Sequence, residues 1–539
     1  MIDVLGSGER GALFISNPLG VQLDGTLIRG KDSDLVPWGG SWSSWDTQWS
    51  SAGRQTASGY EVEMAIPWSS LRHPLVMNDI AITLFRKVAR TAEMSSWPQL
   101  DADIEGALIQ AASVGGPGAM QRSLGLSVRP EVTATRTNEG VPDDRLGYAG
   151  IAPGITVQAA PSSALQILAT INPDFSQVES DEAKIDVNKR YSLQYQEKRP
   201  FFLEGQEWFN HPLQNLVYTR SMVTPVYGAR ATSETGPLAS SILHVHDQTP
   251  ASSVSETSGW DADDIDGHTA DSTIGRLRWS MGTDHMFGAI VSNRSIRGTA
   301  LNHNLFGFDG RVKASPKMTL EASVIGSNTT GIGQRTALAP AGIIRSRYRS
   351  RHIQSRVEAS YLSKFFRTEN GFQPIADAIR LLNRTEVVTY PTWRHIPRFL
   401  FSPTDGEITF RETGELREYV YRPSVGSWFS NGTYFVLKGG PTGEEYEGTW
   451  LDYIDGALMG GGSWTRWLQA RMRIEAGQAP YYDADEPFVG NKVSARTGIT
   501  LQPVTRIALS PTVGWERFRS GEEVLYEGLI TRMKLELFA

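Results

Sequence analysis

Within the run from Trp464 to Gln478 the chain alternates in character from Leu468 to Ala476. Leu468, Ala470, Met472, Ile474 and Ala476 fall on one face of an extended chain, and Gln469, Arg471, Arg473 and Glu475 on the other. Only a repeat of two keeps those sets apart; a helix, with 3.6 residues per turn, would mix them. Ile353, Ser355, Val357, Ala359 and Tyr361 alternate in the same way with His352, Gln354, Arg356, Glu358 and Ser360. Met533, Leu535 and Leu537 do so with Arg532, Lys534 and Glu536, and residues 318–324 repeat the pattern more weakly. Such strands belong either to a soluble sheet with one wet face or to a barrel with an apolar face toward lipid and a charged face toward a hydrated lumen. Arginine recurs on the polar face, and aromatics (Trp464, Trp467, Tyr361) stand at the ends of runs, where an interfacial girdle would lie. Both features favour the barrel, as do long polar loops such as that from Thr249 to Asp271.

The length of 539 residues exceeds what one compact soluble core holds, but a single barrel can absorb several hundred residues. No apolar run approaches the ~18 residues of a membrane helix. The mean hydropathy of -0.29 suits a lumen-bearing barrel, in which only alternate residues meet lipid. The chain has no Cys, which excludes a disulfide framework, thiolate metal sites and a Cys nucleophile. The net charge of -7 argues against a nucleic-acid partner. An exported chain needs an apolar leader. Met1 to Arg10 do not supply one, which counts against the barrel unless the sequence is a piece of a longer chain.

Residues 1–118 differ from the rest. Short β-like runs (11–15 and 60–67) alternate with turn-forming clusters, and a tryptophan-rich stretch holds Trp38, Trp42, Trp45 and Trp49. The Gly115-Gly116-Pro117-Gly118 cluster reads as a boundary. The expected fold class is all-β: a large antiparallel outer-membrane β-barrel over 119–539, preceded by a partial β-sandwich over 1–118. Within the barrel, residues 172–205 lose the alternation and become dense in charge. Such a segment cannot face lipid. We expect it to fill the lumen or cap the periplasmic mouth, partly as a helix over 186–194, with Phe201 and Phe202 against the wall.

That segment carries a resemblance. Ile171-Asn172-Pro173-Asp174-Phe175-Ser176-Gln177-Val178-Glu179, then Glu197-Lys198-Arg199-Pro200-Phe201-Phe202-Leu203-Glu204-Gly205, Tyr218-Thr219-Arg220 and Pro225-Val226-Tyr227-Gly228-Ala229 resemble the signature of a bacterial outer-membrane family catalogued as domain of unknown function 5916. Gly371-Phe372 with Asp377 and Arg380 loosely matches a later pattern of that family. The resemblance implies a barrel behind a domain similar to carbohydrate-binding module family 9. Residues 17–25, 45–49 and 59–68 look like the second half of that module. It also implies that the first half of the sandwich and a leader precede this sequence, and that further strands follow it, although Phe538 imitates an outer-membrane terminal strand. The implied setting is the outer membrane, with lipid around the barrel and the front domain in the periplasm.

The candidate residues each have two readings. Asp174, Glu179, Glu197, Lys198, Arg199 and Glu204 form either a charge-paired plug or a site for a substrate or cation; Lys198 and Arg199 can pair with Glu179, Glu197 or Glu204. Trp45, Asp46 and Trp49 offer the aromatic face and polar groups that hold sugars, or else Trp45 and Trp49 are core residues. His244 and His246 share one strand face without a recognisable third metal ligand, so lumen-facing polar residues are the ordinary expectation. The stretch from Asp261 to Gly267 fails the calcium-loop spacing at Ile265 and Ser272. No catalytic motif is present, and Glu61 and Glu63 merely share a strand face. No catalytic residue, metal or cofactor is therefore assigned. The first expectation is binding or transport of a glycan or another small solute. The alternatives are a membrane-associated hydrolase acting on glycans, and a structural or assembly protein of the envelope.

Overall fold

The computed structural model describes the whole chain except residues 30–46, 72–75, 89–92, 102, 105, 120–124, 138–147, 163, 174–186, 214, 251–259, 261–264, 332–337, 466, 505–506 and 538–539. It is all-β. A five-stranded sheet at the front has the order Gln22–Ile28, Arg10–Ser16, Ile2–Asp3, Val76–Ile82, Ala112–Ala119, and two hairpins flank it (Ser50–Thr56 with Gly59–Ala65, Leu84–Val88 with Glu93–Trp97). The glycine cluster lies within the last of those strands. There Gly116 lets the backbone pass Met77, whose carbonyl oxygen would lie 2.2 Å from an added Cβ. The sheet changes after it, at Gly125.

From Gly125 onward a 22-stranded antiparallel sheet runs in chain order to Glu523–Leu537. Two staves of this barrel wall are broken. Arg398–Ser402 and Gly406–Phe410 lie end to end beside Ala378–Thr389, and Leu416–Tyr421 and Ser424–Trp428 do the same beside Tyr434–Tyr446. Pro403 and Pro423 sit at the breaks, where a residue without an N–H cannot continue the ladder. Gly125–Thr137 and Glu523–Leu537 are the edge strands, and no ladder joins them among the described residues.

Burial decides between the two kinds of sheet. On Asn302–Ser315 and Met318–Thr330 the buried side chains are His303, Asp309, Arg311, Thr319, Glu321, Ser323, Ser327 and Thr329, with Leu305 and Ile325 among them. The opposite face is apolar and open, with Phe308 67% and Val324 70% exposed. Ile344, Ile454, Leu529, Met533 and Leu535 are similarly open on other strands. A soluble one-sided sheet has the reverse arrangement. Each of these side chains forgoes roughly 1.5–3 kcal/mol of burial in water, so the face is built for an apolar surrounding.

The ends of the barrel differ. Short turns join Pro225–Thr235 to Leu238–Asp247 and Ala270–Met281 to His285–Ile296 on the side facing the front sheet. Longer connections (172–224, 248–269 and 363–377) leave from the other end. Lys317 and Arg351, in short turns, bind Asp103 of the front sheet's flank. The run starting at Trp464 proves to be a hairpin. Thr449–Thr465 ends and Leu468–Tyr481 begins across it, so Trp464 and Trp467 flank a turn, both well exposed.

Candidate functional site

Residues 172–224 connect Leu165–Ile171 to Pro225–Thr235, two strands that pair directly with each other. With no strand among its described residues, the connection's described part folds inward from the long-loop end. Its described part touches opposite walls. Asn188 Nδ2 donates to the Pro480 carbonyl (2.9 Å) and Arg190 Nη1 to Glu444 (2.5 Å), while Lys189 lies 3.6 Å from Glu516. Tyr453 and Tyr482 hydroxyls also donate to Glu444 (3.0 and 2.9 Å). The helix expected over 186–194 is absent among residues 187–194. Asn188 turns the backbone at φ +55°, and the adjacent side chains of 188–190 anchor to three different staves, which a helical turn does not allow.

The signature residues form the joint between plug and wall. Arg199 donates from Nε and Nη2 to the two oxygens of Glu197 (2.9 and 2.7 Å). Its Nη1 reaches the Met222 carbonyl and its Nη2 the Thr219 carbonyl, both at 2.7 Å. Thr219 Oγ1 donates to the same carboxylate at 2.5 Å. Burial pushes the Glu197 carboxyl up, but the Arg199 guanidinium and the Thr219 hydroxyl outweigh this and hold it below the usual carboxylate range. Pro200 opens a short helix, Pro200–Leu203, at the position where its missing N–H costs nothing. That turn drives Phe201 and Phe202 into a cluster with Leu168, Leu243, Val245 and Ile274 of the wall. Gly205 ends the turn at φ +72°, a conformation that favours glycine. Gly228 faces Phe201; an added Cβ would lie 2.8 Å from the ring.

Of the charged residues singled out from sequence, Glu197 and Arg199 come together. Glu204 instead accepts from Gln158 (3.0 Å) and Gln166 (2.6 Å) of the wall, and the Lys198 backbone N–H donates to Glu197. Asp174 and Glu179 lie outside the described residues. The later pattern meets the same joint: Phe372 packs edge-on against Tyr218 (5.3 Å), and the Tyr218 N–H donates to the Asn370 carbonyl.

His244 and His246 are not lumen-facing. Leu243 and Val245 turn inward because the plug's phenylalanines cover that part of the wall, so the register sends both histidines outward, where Tyr227 stacks on His246 at 5.1 Å. In the front sheet Trp49 is buried edge-on against Phe14 and beside Leu71. Trp45 and Asp46 lie outside the described residues, as do 261–264. Glu61 pairs with the exposed Arg54.

The sequence reading missed the wall's own pairs. Arg276 clamps Asp309 with two bonds (2.5 and 2.8 Å), and Arg345 bridges Glu321 (2.9 Å) and Glu358 (2.7 Å). Opposite charges on the polar faces of strands one or two staves apart were the available signal, but pairing them needs the register. His211 of the plug is wedged beside them, its Nε2 3.5 Å from Asp309. Burial lowers its pKa from 6.5 to about 4. The unfolded chain binds this proton near pH 6.5 and the folded chain only near 4, so acidification across that window should remove about 3 kcal/mol of stability. Unfolding followed against pH should show the loss, and His211→Gln should abolish that part of the profile.

Residues 149–236 match the family described as Domain of unknown function (DUF5916), a span that runs from the second stave through the plug to the end of Pro225–Thr235. No curated protein matches the chain. Among solved structures the chain is similar to a BenF-like porin from Pseudomonas fluorescens Pf-5. The likeness covers 77% of this chain and 98% of that one, at 7% identity and a TM-score of 0.28.

Proposed function

We propose that the chain is an outer-membrane barrel that passes small solutes through the part of its lumen the plug leaves open, with the front sheet at the periplasmic mouth. The inverted wall, apolar outside and charged inside, carries this reading. Lipid is the surrounding that suits the outer face, and water with solute suits the inner one. The plug covers the inner face from Pro225 to Leu362, where the lumen side chains are mostly buried. Across the lumen, on Leu468–Tyr481 and Phe488–Val504, Arg471, Arg473 and Arg496 are exposed to solvent. The short turns facing the front sheet support its periplasmic side, since outer-membrane barrels keep short turns there.

Reconstitution into planar lipid bilayers tests the proposal. Stepwise conductance is expected, and it should rise when the anchor of the plug is cut by Arg190→Ala or Glu444→Gln. Silence from the intact protein and from both variants would overturn the reading.

A further inference from the structure

In the plugged half of the lumen Arg276 is matched by Asp309, Arg345 by Glu321 and Glu358, and Arg199 by Glu197. In the open half the matching is partial. Arg384 pairs with Asp405, Arg422 with Asp455, and Arg473 with Glu475. Lys438, Arg471 and Arg496 have no carboxylate within ion-pair distance among the described residues, and all three point into the lumen.

The register brings them together. Arg496 stands directly opposite Arg473, and Arg471 lies one step along the same face. Lys438 faces Ala457, which faces Glu475, so Lys438 sits two staves from Arg473, across Thr449–Thr465, and one step along. Arg473, Arg422 and Arg384 are all within electrostatic reach of it, against the single carboxylate of Asp405, which Arg384 already holds. Like charges directly opposite on neighbouring strands repel, and this wall could have relieved the repulsion with carboxylates, as it does elsewhere. Keeping Arg471 and Arg496 unmatched and exposed, and Lys438 unmatched and half-buried, instead leaves a local positive potential on the solute's side of the lumen.

We propose that Lys438, Arg471 and Arg496 form an anion-selecting patch, and that the solutes carry a carboxylate or phosphate group. Guanidinium groups present paired donors that fit either anion, and rings or ladders of Arg and Lys select anions in pores. The inference rests on the pore reading but fails separately from it.

The test is the reversal potential of the bilayer-reconstituted protein in a potassium chloride gradient. The intact protein should prefer chloride, and the combined change Lys438→Glu, Arg471→Glu and Arg496→Glu should reverse the sign. The single changes Lys438→Gln and Arg496→Gln, which disturb folding least, should each shift the potential toward zero. Added inorganic phosphate and added acetate, as separate arms, show which anion dwells at the patch by interrupting the chloride current. Conductance without ion preference, or a potential unmoved by the variants, overturns the inference and leaves the pore standing. No conductance from any form overturns both.

Discussion

Arg199→Ala is expected to cost about 3–5 kcal/mol of stability, the usual effect of stranding one member of a buried pair. The Glu197 carboxylate would keep the Thr219 hydroxyl but lose a two-pronged partner, and the carbonyls of Thr219 and Met222 would lose their donors. Neither member of the pair has more than 2% of its side chain exposed, so water cannot replace what is lost. Glu197→Gln should be milder, because an amide still hydrogen-bonds. The pair also has a pH signature. The folded-state pKa of Glu197 lies below its ordinary 4.5, so its contribution is complete above that value and is lost as pH falls through the folded pKa. Unfolding of the intact protein and Glu197→Gln in detergent, followed from neutral to acid pH, should show a steeper acid loss in the intact protein. Equal slopes would mean that the pair does not hold the plug.

The second large effect is expected at Glu9, which the front sheet inserts into the short-turn mouth of the barrel. Its carboxylate meets Arg29 at 3.2 Å and Arg278 at 3.4 Å, and it also binds Arg311. Burial pushes Glu9 up, yet Arg311 and Arg278, with Arg29, hold it below the usual range. Beside it Arg10 reaches Glu207 of the plug at 3.2 Å, so front sheet, plug and wall share one charge cluster. Glu9→Ala would leave three guanidiniums facing each other without a counter-charge, and should weaken docking by about 3–5 kcal/mol. Limited proteolysis should then separate the front sheet from the barrel much faster. Lys317→Ala, which removes a partly exposed pair with Asp103, should change that rate little. An unchanged rate in Glu9→Ala would show that other contacts hold the two parts together.

The sequence by itself determined the class of fold. Alternation in runs such as 353–361 specifies strands whatever the surroundings, because side chains of an extended chain must point to opposite faces in turn. It also marked 172–205 as unable to face lipid, and the joint at Glu197, Arg199, Phe201 and Phe202 is where those residue types pointed. Alternation does not say which face is inside. At His244 and His246 the inner face is apolar, because the plug's phenylalanines lie against Leu243 and Val245, and only the packed structure shows that. The same limit hid the partners of charge. Glu9 and Arg311 are separated by 302 positions and Asn188 and Tyr482 by 294, distances over which local sequence carries no trace. The unmatched cations at Lys438, Arg471 and Arg496 were equally out of reach. A charge is matched or unmatched only through the register of neighbouring strands, and the tertiary fold sets that register.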